Sequence, residues 1–358
     1  MVGLGQVSPE DWDACLPADR NPFLRHAFLR CLEESGSATP ATGWAPVHVV
    51  VERDGRVAGV APVYAKSHSY GEFMFDWGWA DALERAGGRY YPKLQVAVPF
   101  SPIPGPRLVA PTADLRQALL AGLQDLRSRL GASSIHLTFC TAGEAEELQD
   151  SGFLPRVNLQ FHWPNPGYRD FGDFLGALTA RKRKAIRRER REALQPGMDL
   201  RMCTGNDLTE RVWDEFFPLY VDTYDRKWGS PHLTRDFFSL LSQRMGDAVV
   251  LFLVTHHGRV LAGALNLLGA EALYGRSWGC LGDYPFLHFE VCYYQAVQFA
   301  IQRRLARVEA GVQGPHKLSR GYLPVLTYGS SFLTHPGLSQ AVGKFLARER
   351  RQTLRDLE

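Results

Sequence analysis

The sequence predicts an α+β protein made of two similar units, and three observations support this fold class. The chain has 358 residues, which suggests two domains of ordinary size. Each half combines helical patterns with a strand, a tight turn and a further strand, the order of an α+β rather than a regular βαβ protein. Short sequences also recur at offsets of 203 and 204, with DGRV at 54–57 and HGRV at 257–260, and YG at 70–71 and at 274–275. The recurrence predicts a duplication; the alternative is coincidence among common turn sequences.

The composition excludes several classes of protein. Hydrophobic residues make up 45% of the chain and charged residues 22%, which are values of a globular protein and not of a disordered or fibrous one. The net charge of +3 argues against a protein that coats nucleic acid over its whole surface.

The first predicted domain covers residues 1–165. Its first helix has Asn21 as the N-cap and Pro22 at the first helical position, and it stops at Gly36. Aromatic content predicts a strand over 73–79. In chain order, the predicted elements are a helix over 22–36, strands over 47–53, 56–65 and 73–79, a helix over 80–88, a strand over 94–100, a helix over 115–130, a strand over 133–139, a helix over 144–150 and a strand over 157–163.

The second predicted domain covers residues 166–358 and begins with a basic helix over 171–195. A long amphipathic segment at 286–304 predicts the helix that follows its three-stranded meander. In chain order, the remaining elements are a strand over 199–203, helices over 207–227 and 233–245, strands over 248–254, 259–268 and 272–279, the helix over 286–304, strands over 307–311 and 325–332, and a helix over 338–355.

Cysteine usage predicts a cytoplasmic protein. The six cysteines form no C-x-x-C pair and no zinc-type spacing with histidine, so we expect free thiols and no metal. The N-terminus lacks the pattern of a signal peptide, and no apolar run reaches the ~18 residues of a membrane span.

The net charge conceals a strongly basic segment. Residues 181–191 read RKRKAIRRERR and carry +7, so the other 347 residues sum to −4. A cationic stripe at helical spacing is expected to bind an anion such as tRNA, a nucleotide diphosphate or a lipid head group; the alternative is a solvated face paired with acids. The stripe consists of Lys184, Arg187, Arg188 and Arg191.

Two long motifs resemble a known family. The first is YGEFMFDWGWADALERAGGRYYPKLQVAVPFSPIPGPRL at 70–108, and the second is YGRSWGCLGDYPFLHFEVCYYQAVQFAIQRRLARVEAGVQGPHKLSRGYLPV at 274–325. With the basic helix between them, they resemble the FemAB-like N-acyltransferases over about residues 20–335. The resemblance implies two GNAT-like (acetyltransferase-type) folds in tandem. It also implies similarity to the Fem peptidyltransferases, which move an aminoacyl group from tRNA to a peptidoglycan-precursor peptide.

One departure bears on the acyl donor. An ordinary GNAT enzyme holds the pyrophosphate of acyl-CoA with an Arg/Gln-x-x-Gly-x-Gly/Ala loop at a helix start. Residues 280–289 read CLGDYPFLHF and residues 80–88 read ADALERAGG, and neither segment is that loop. We therefore expect no tightly bound cofactor, and the donor is either aminoacyl-tRNA or acyl-CoA.

Acyl transfer to an amine needs a base, donors for the oxyanion and an acid for the leaving group, and the second half is rich in such groups. The segment 309–322 ends a strand and places His, Lys and Arg among glycines, and His288 and Glu290 open the long helix. The alternatives are that the segment 309–322 is a solvated turn, that Glu290 is an acid favoured by the helix dipole, and that the aromatic residues belong to the core. The predicted catalytic residues of this half are Glu309, His316 and His288, and the predicted substrate-binding residues are Lys317, Arg320, Gln313, Glu290, Tyr294, Trp278 and Arg276.

The first half offers Asp76, an acid within an aromatic strand. If it lines a cleft, burial would raise its pKa and suit it to general-base catalysis; the alternative is an outward edge position. Tyr91 and Lys93 are predicted to line an acceptor site, with Trp79 as an apolar wall or a core residue.

Three functions fit these patterns. The first is N-acyl or aminoacyl transfer to an amine, such as that of a peptidoglycan-precursor peptide, held in a cleft between the halves. The second is non-catalytic binding of an anionic envelope precursor or RNA. The third is acetyl-CoA-dependent N-acetylation with a non-standard phosphate loop.

Overall fold

The computed structural model describes residues 3–19, 21–226, 229–311 and 314–357. The chain forms two compact units, of which the first comprises Met1–Leu159 with Leu326–Glu358 and the second Gln160–Val325. The C-terminal segment, predicted to be part of the second domain, thus belongs to the first unit. Each unit combines helices with a mostly antiparallel sheet, so the predicted α+β class is confirmed.

The chain up to the first unit boundary alternates short helices and strands. The elements are α1 (Pro9–Ala14), α2 (His26–Glu34), β1 (Trp44–Pro46), β2 (Val49–Arg53), β3 (Arg56–Ala61), β4 (Val63–Lys66), α3 (Trp77–Arg85), β5 (Lys93–Val96), α4 (Ala113–Leu130), β6 (Ser134–Cys140), α5 (Ala142–Glu147) and β7 (Leu154–Pro164).

The rest of the chain forms the second unit and returns to the first. The elements are α6 (Phe171–Gly176), α7 (Ala180–Ala193), β8 (Met198–Cys203), α8 (Glu210–Asp225), α9 (Arg235–Met245), β9 (Val249–His256), β10 (Arg259–Leu268), β11 (Ala272–Cys280), α10 (Leu287–Phe289), α11 (Gln295–Gln302), β12 (Arg307–Glu309), β13 (Leu323–Leu333) and α12 (Pro336–Leu357). A π-helical turn, Glu290–Tyr294, joins α10 to α11.

In the first unit the strand order is β1-β4-β5-β6-β13, and β2 and β3 form a separate hairpin. Strands β5 and β6 run parallel, with Leu94 opposite Ile135, while β4 and β13 pair antiparallel on either side of them. Helix α4 connects the two parallel strands, and its Leu119 and Leu123 are buried in the core against them. This arrangement places the side chains at the ends of β5 and β6 side by side.

The strand predicted over 73–79 is wrong, because this segment contains the start of helix α3. Trp79, Ala80 and Leu83 form one apolar face of α3, which is buried against Leu338 and Val342 of α12. The aromatic residues favour a strand locally, but packing against the C-terminal helix favours a helix.

In the second unit the strand order is β7-β12-β11-β10-β9-β8. Strands β11 and β12 run parallel, and the other pairs are antiparallel. The helical segment that follows β11 buries Val291, Val297 and Ala300 in the core of this unit. The single basic helix predicted over 171–195 is instead divided into α6 and α7, because Thr179 caps α7 through the backbone N–H of Lys182.

Across the described parts of the chain, no helix combines the length and the apolar character needed to span a bilayer.

Candidate functional site

A wedge opens in the second unit where two parallel strands separate. Strands β11 and β12 pair only from Ala272 to Tyr274, because β12 ends at Glu309 while β11 continues to Cys280. On its other edge β11 stays paired with β10, with a bulge after Leu265. The side of β11 beyond Tyr274 therefore faces a pocket of about 110 Å³, which is lined by Ala264, Leu265, Asn266, Gly275, Arg276, Ser277, Trp278, His288, Cys292, Tyr293 and Ala310.

The pocket brings together aromatic and acid–base groups. The His288 ring lies 5.3 Å from the Trp278 ring and 5.3 Å from the Tyr293 ring. The Tyr293 hydroxyl lies 3.0 Å from Nε2 of His316. The ring centres of His288 and His316, two predicted catalytic residues, are 6.3 Å apart.

The titration behaviour of the Tyr293–His316 pair suits proton transfer. Burial, helped by the charges of Arg320 and Lys317, lowers the pKa of His316 below its ordinary value of 6.5. Burial raises the pKa of Tyr293 above its ordinary value of 10. At neutral pH, His316 is thus a neutral proton acceptor and Tyr293 a protonated donor.

Arg276 and Trp278, predicted to bind substrate, both line this pocket. Burial lowers the pKa of Arg276 to about 10, although Tyr224 and Tyr220 oppose the shift. The guanidinium therefore stays charged at neutral pH and gives the pocket a positive group.

Four other residues predicted to bind substrate make internal contacts instead. Lys317 donates to the backbone carbonyls of Ala310 and Gly311 at 2.7 and 2.8 Å, and burial lowers its pKa to about 8. These bonds hold the loop after β12 beside the pocket.

The remaining three hold helix α7 in place. The Nη2 of Arg320 donates to Glu189, and Tyr294 also donates to this carboxylate. Glu290 accepts hydrogen bonds of 3.1 and 3.0 Å from Arg190. We assign these residues positioning roles.

One predicted catalytic residue, Glu309, does not line the wedge pocket. Glu309 is buried on β12, where it accepts a 2.8 Å hydrogen bond from Arg307 and lies 3.8 Å from His162. Gln313 lies outside the described residues.

The four cations of the predicted stripe share one exposed face of α7. Lys184 and Arg187 have no ion-pair partner among the described residues, while Arg188 and Arg191 contact Glu192 at 3.9 and 3.2 Å. The opposite face of α7 is docked through Ile186, which is buried in the core. The stripe is thus free to contact an external anion.

In the first unit, Asp76 precedes helix α3 and belongs to a buried polar cluster. It accepts hydrogen bonds of 2.6 Å from the Tyr90 hydroxyl and 2.5 Å from Nζ of Lys93. Burial acts to raise its pKa, but the charges of Lys93 and His136 and the hydrogen bonds from Lys93 and Ser69 together outweigh burial and lower the pKa below its usual value. The expectation of a raised pKa was therefore wrong, and Asp76 is ionised at neutral pH.

Three other predicted residues surround this cluster. Lys93 is buried and also donates 2.8 Å hydrogen bonds to Ser69 and Glu72. Tyr91 lies within hydrogen-bonding distance of Ser69 through its hydroxyl, at 2.9 Å. Trp79 is a core residue of α3 and one wall of a small pocket beside the cluster.

Sequence patterns give little indication of three residues that matter in these sites. The helical pattern around Tyr293 is typical of a core aromatic, whereas in the structure this residue lies in the π-helical turn with its hydroxyl 3.0 Å from Nε2 of His316. Glu72 and His136 belong to the first unit's polar cluster, to which His136 contributes from β6. The only available signal for Glu72 was its position four residues before Asp76.

The two α+β units, together with a wedge between diverging parallel strands in the second, define a GNAT-like fold. The chain belongs to the FemAB-like family, whose model is described as peptidoglycan biosynthesis and recognition and matches residues 3–358.

Solved structures agree with this fold at low sequence identity. FemX is 13% identical with a TM-score of 0.58, over 94% of this chain and 99% of that chain. The C-terminal domain (DUF2156) of a putative lysylphosphatidylglycerol synthetase from Agrobacterium fabrum is 9% identical with a TM-score of 0.55, over 87% of this chain and 95% of its own. The L-PGS of Bacillus licheniformis is 11% identical with a TM-score of 0.53, over 89% and 96%. No curated protein matches the sequence.

Proposed function

We propose that this protein is an N-acyltransferase that moves an aminoacyl group, or another acyl group, to an amine acceptor in the cytoplasm. Membership of the FemAB-like family supports a peptidoglycan-precursor peptide as the acceptor. The hydrogen bond between Tyr293 and His316 at the wedge carries the proposal, because it pairs a neutral base with a protonated acid beside a pocket of acyl-group size.

The pair can move the proton that acyl transfer must relocate. The amine nitrogen attacks the acyl carbonyl carbon, a C–N bond forms, and the C–O or C–S bond to the donor breaks. His316 and Tyr293 take the proton from the attacking amine and return one to the leaving oxygen or sulfur. Arg276 lies in the same pocket and stabilises negative charge on the carbonyl oxygen.

The exposed cations of α7 support aminoacyl-tRNA as the donor. Lys184 and Arg187 carry charges that no described residue neutralises, and a polyanion gains most from such a surface. The segment that follows β11 also lacks the phosphate loop that acyl-CoA would need.

A transfer assay tests the function. The purified protein is incubated with labelled aminoacyl-tRNAs or acyl-CoAs and with peptidoglycan-precursor peptides, and mass spectrometry detects the new amide. We expect product from aminoacyl-tRNA. Folded protein that yields no product from any pair would overturn the enzymatic proposal.

The same stripe on α7 also favours a second candidate, a non-catalytic binder of an anionic envelope precursor or RNA. Salt-sensitive binding without turnover would identify it. Tight binding of CoA by calorimetry would instead support an acetyl-CoA-dependent enzyme with a different phosphate site.

A further inference from the structure

Helix α7 holds the π-helical turn that carries Tyr293. Two consecutive residues of the helix make the contacts. Arg190 donates hydrogen bonds of 3.1 and 3.0 Å to Glu290, the first residue of the turn. Glu189 accepts a hydrogen bond from the hydroxyl of Tyr294, the last residue of the turn. Tyr293 therefore lies in a turn that α7 holds at both ends.

Glu189 is also joined to the short helical turn that carries His316. Both of its carboxylate oxygens accept 2.9 Å hydrogen bonds from Nη2 of Arg320. Nη1 of the same guanidinium donates to the backbone carbonyl of His316 at 2.8 Å. A guanidinium is planar and its donors point in fixed directions, so a partner on one nitrogen fixes the direction of the other. One carboxylate thus restrains the segments of both members of the acid–base pair.

The contacts of Glu189 are largely shielded from solvent. Its side chain is 12% exposed and that of Arg320 is 6% exposed, and Tyr294 is buried. Hydrogen bonds to an ionised carboxylate are strong in such surroundings, whereas an exposed ion pair would restrain little. The arrangement therefore has the rigidity that a positioning residue needs.

The charge of Glu189 also acts on His316. Burial first, and then the charges of Arg320 and Lys317, lower the pKa of His316. The carboxylate of Glu189 lies against Arg320 and offsets its charge, so its removal would disfavour the imidazolium further and weaken the base. Among the described residues, the titratable groups around His316 are Tyr293, His288, Lys317 and Arg320.

We propose that Glu189 is a positioning residue for the acid–base pair. It holds the segment of His316 through Arg320, and it holds the segment of Tyr293 through Tyr294. Its charge also offsets that of Arg320 beside His316. The proposal rests on the acyl transfer assigned above to this pair, and it gives α7 a second task besides the binding of a polyanion.

An NMR titration of the His316 imidazole tests the proposal without turnover, and His316→Ala identifies the resonance. In Glu189→Gln the pKa of His316 should be lower than in the unchanged protein, because the charge of Arg320 is no longer offset. Glu192→Gln makes the same change of charge at an exposed position of α7, where solvent screens it, and should leave this pKa in place. Circular dichroism confirms the fold of both variants. An unmoved pKa in folded Glu189→Gln would overturn the proposal.

Kinetics of amide formation tests the contact with the π-helical turn. Tyr294→Phe removes the hydroxyl that donates to Glu189 but keeps the ring and the ion pair with Arg320. We expect kcat to fall about tenfold with little change in KM, because a small displacement of the pair slows proton transfer. The increase of kcat/KM with pH should stay in place in this variant and move to lower pH in Glu189→Gln.

The outcomes separate this proposal from the proposed function. A normal kcat in Tyr294→Phe would overturn the positioning role, even if Glu189→Gln did not fold. A failure of the unchanged protein to form any amide would overturn the proposed function alone, because the NMR titration still tests the link between Glu189 and His316.

Discussion

The Nη2 of Arg320 lies 2.9 Å from both carboxylate oxygens of Glu189, and its guanidinium is 3.4 Å from the centre of the Phe289 ring. Glu189 is the single acid of the basic segment 181–191, and it faces the interior of its unit while the four cations of the stripe are exposed to solvent. The acid thus anchors α7 and sets the direction of the cationic stripe.

Replacing Arg320 by Ala should therefore destabilise the second unit. Both side chains of the pair are largely buried, and removal of one partner leaves an uncompensated charge. We expect the free energy of unfolding to fall by about 2–4 kcal/mol, measured by urea denaturation.

The double variant Glu189→Gln with Arg320→Met separates structure from substrate binding. Because it removes both charges, it should be more stable than Arg320→Met alone. Measured against Glu189→Gln and Arg320→Met as single variants, the coupling energy should be about 1–3 kcal/mol. A stable Arg320→Ala protein that has lost only its substrate affinity would show that Arg320 binds a ligand, as its loop position had suggested.

The Tyr293–His316 pair predicts a specific kinetic defect. Tyr293→Phe keeps the ring but removes the hydroxyl that lies 3.0 Å from His316. We expect kcat to fall about 100-fold with little change in KM, because proton transfer is lost while the pocket keeps its shape. Steady-state kinetics of amide formation measures both constants.

The same pair predicts the pH profile. His316 must be neutral to accept a proton, and its pKa lies below 6.5 because of burial and the charges of Arg320 and Lys317. In a plot of kcat/KM against pH, the increase due to deprotonation of His316 should therefore lie below pH 6.5. This rising limb should be absent in His316→Ala. His257→Asn, at an exposed turn, is the control and should keep the limb. A limb that persists in His316→Ala would assign the base elsewhere.

The sequence could predict patterns that depend on neighbours in the chain. The α+β class, the hairpin between β2 and β3 and the exposure of the α7 stripe all follow from short-range spacing. Glu189 and Arg320 are 131 residues apart, and no spacing rule indicates their contact. The loop glycines near Arg320 suggested a binding site, but the arginine is stacked on Phe289 inside the unit.

The first unit shows the same limit. The aromatic segment 73–79 has strand propensity. Its last three residues are helical because α3 packs against α12, a contact that the local sequence does not reveal. This affects the interpretation of Asp76. On a strand, successive side chains point to opposite faces, so Asp76 was expected either in a cleft or at an outward position. Just before a helix, its carboxylate instead contacts Lys93, which comes from strand β5.

The stripe on α7 should control binding of polyanions. Lys184→Ala, Arg187→Ala and Arg188→Ala combined remove three exposed charges and should weaken tRNA binding at low salt. The slope of log affinity against log salt should fall by about 2–3. Filter binding over a range of salt concentrations measures this slope.

Three exposed cations of α12 provide a matched control. Lys344→Ala, Arg350→Ala and Arg351→Ala change the net charge by the same amount on the other unit. If both triple variants lose affinity equally, the interaction reflects overall charge and not a site on α7.

Lys66 should make stability depend on pH. Burial lowers its pKa to about 7, against 10.5 ordinarily, although Glu72 opposes this. Between these two pH values the unfolded chain binds a proton that the folded chain releases, so stability rises with pH. Lys66→Met lacks this contribution, so its free energy of unfolding should rise less steeply with pH than that of the unchanged protein. The difference between the two slopes should be up to about 1.4 kcal/mol per pH unit.

Urea denaturation of both proteins between about pH 8 and pH 10 measures the difference in slope. Above pH 8, Glu72, whose pKa burial raises to about 7, no longer titrates strongly. Equal slopes for the two proteins would mean that Lys66 keeps its ordinary pKa in the folded state.

Gly279 on β11 permits the close approach of helix α8 next to the wedge. A Cβ at this position would lie 2.1 Å from the carbonyl oxygen of Leu219, and backbone cannot yield as a flexible side chain can. The approach also allows Thr223 to donate a 2.8 Å hydrogen bond to the carbonyl of Trp278, a residue of the pocket. Gly279→Ala should lower the free energy of unfolding by about 1–3 kcal/mol and reduce acyl transfer, because separating α8 from β11 displaces one wall of the wedge. Gly143→Ala, where nothing lies within 4 Å, is the control and should leave both unchanged. If Gly279→Ala matched this control in unfolding and transfer assays, the contact with α8 would not shape the wedge.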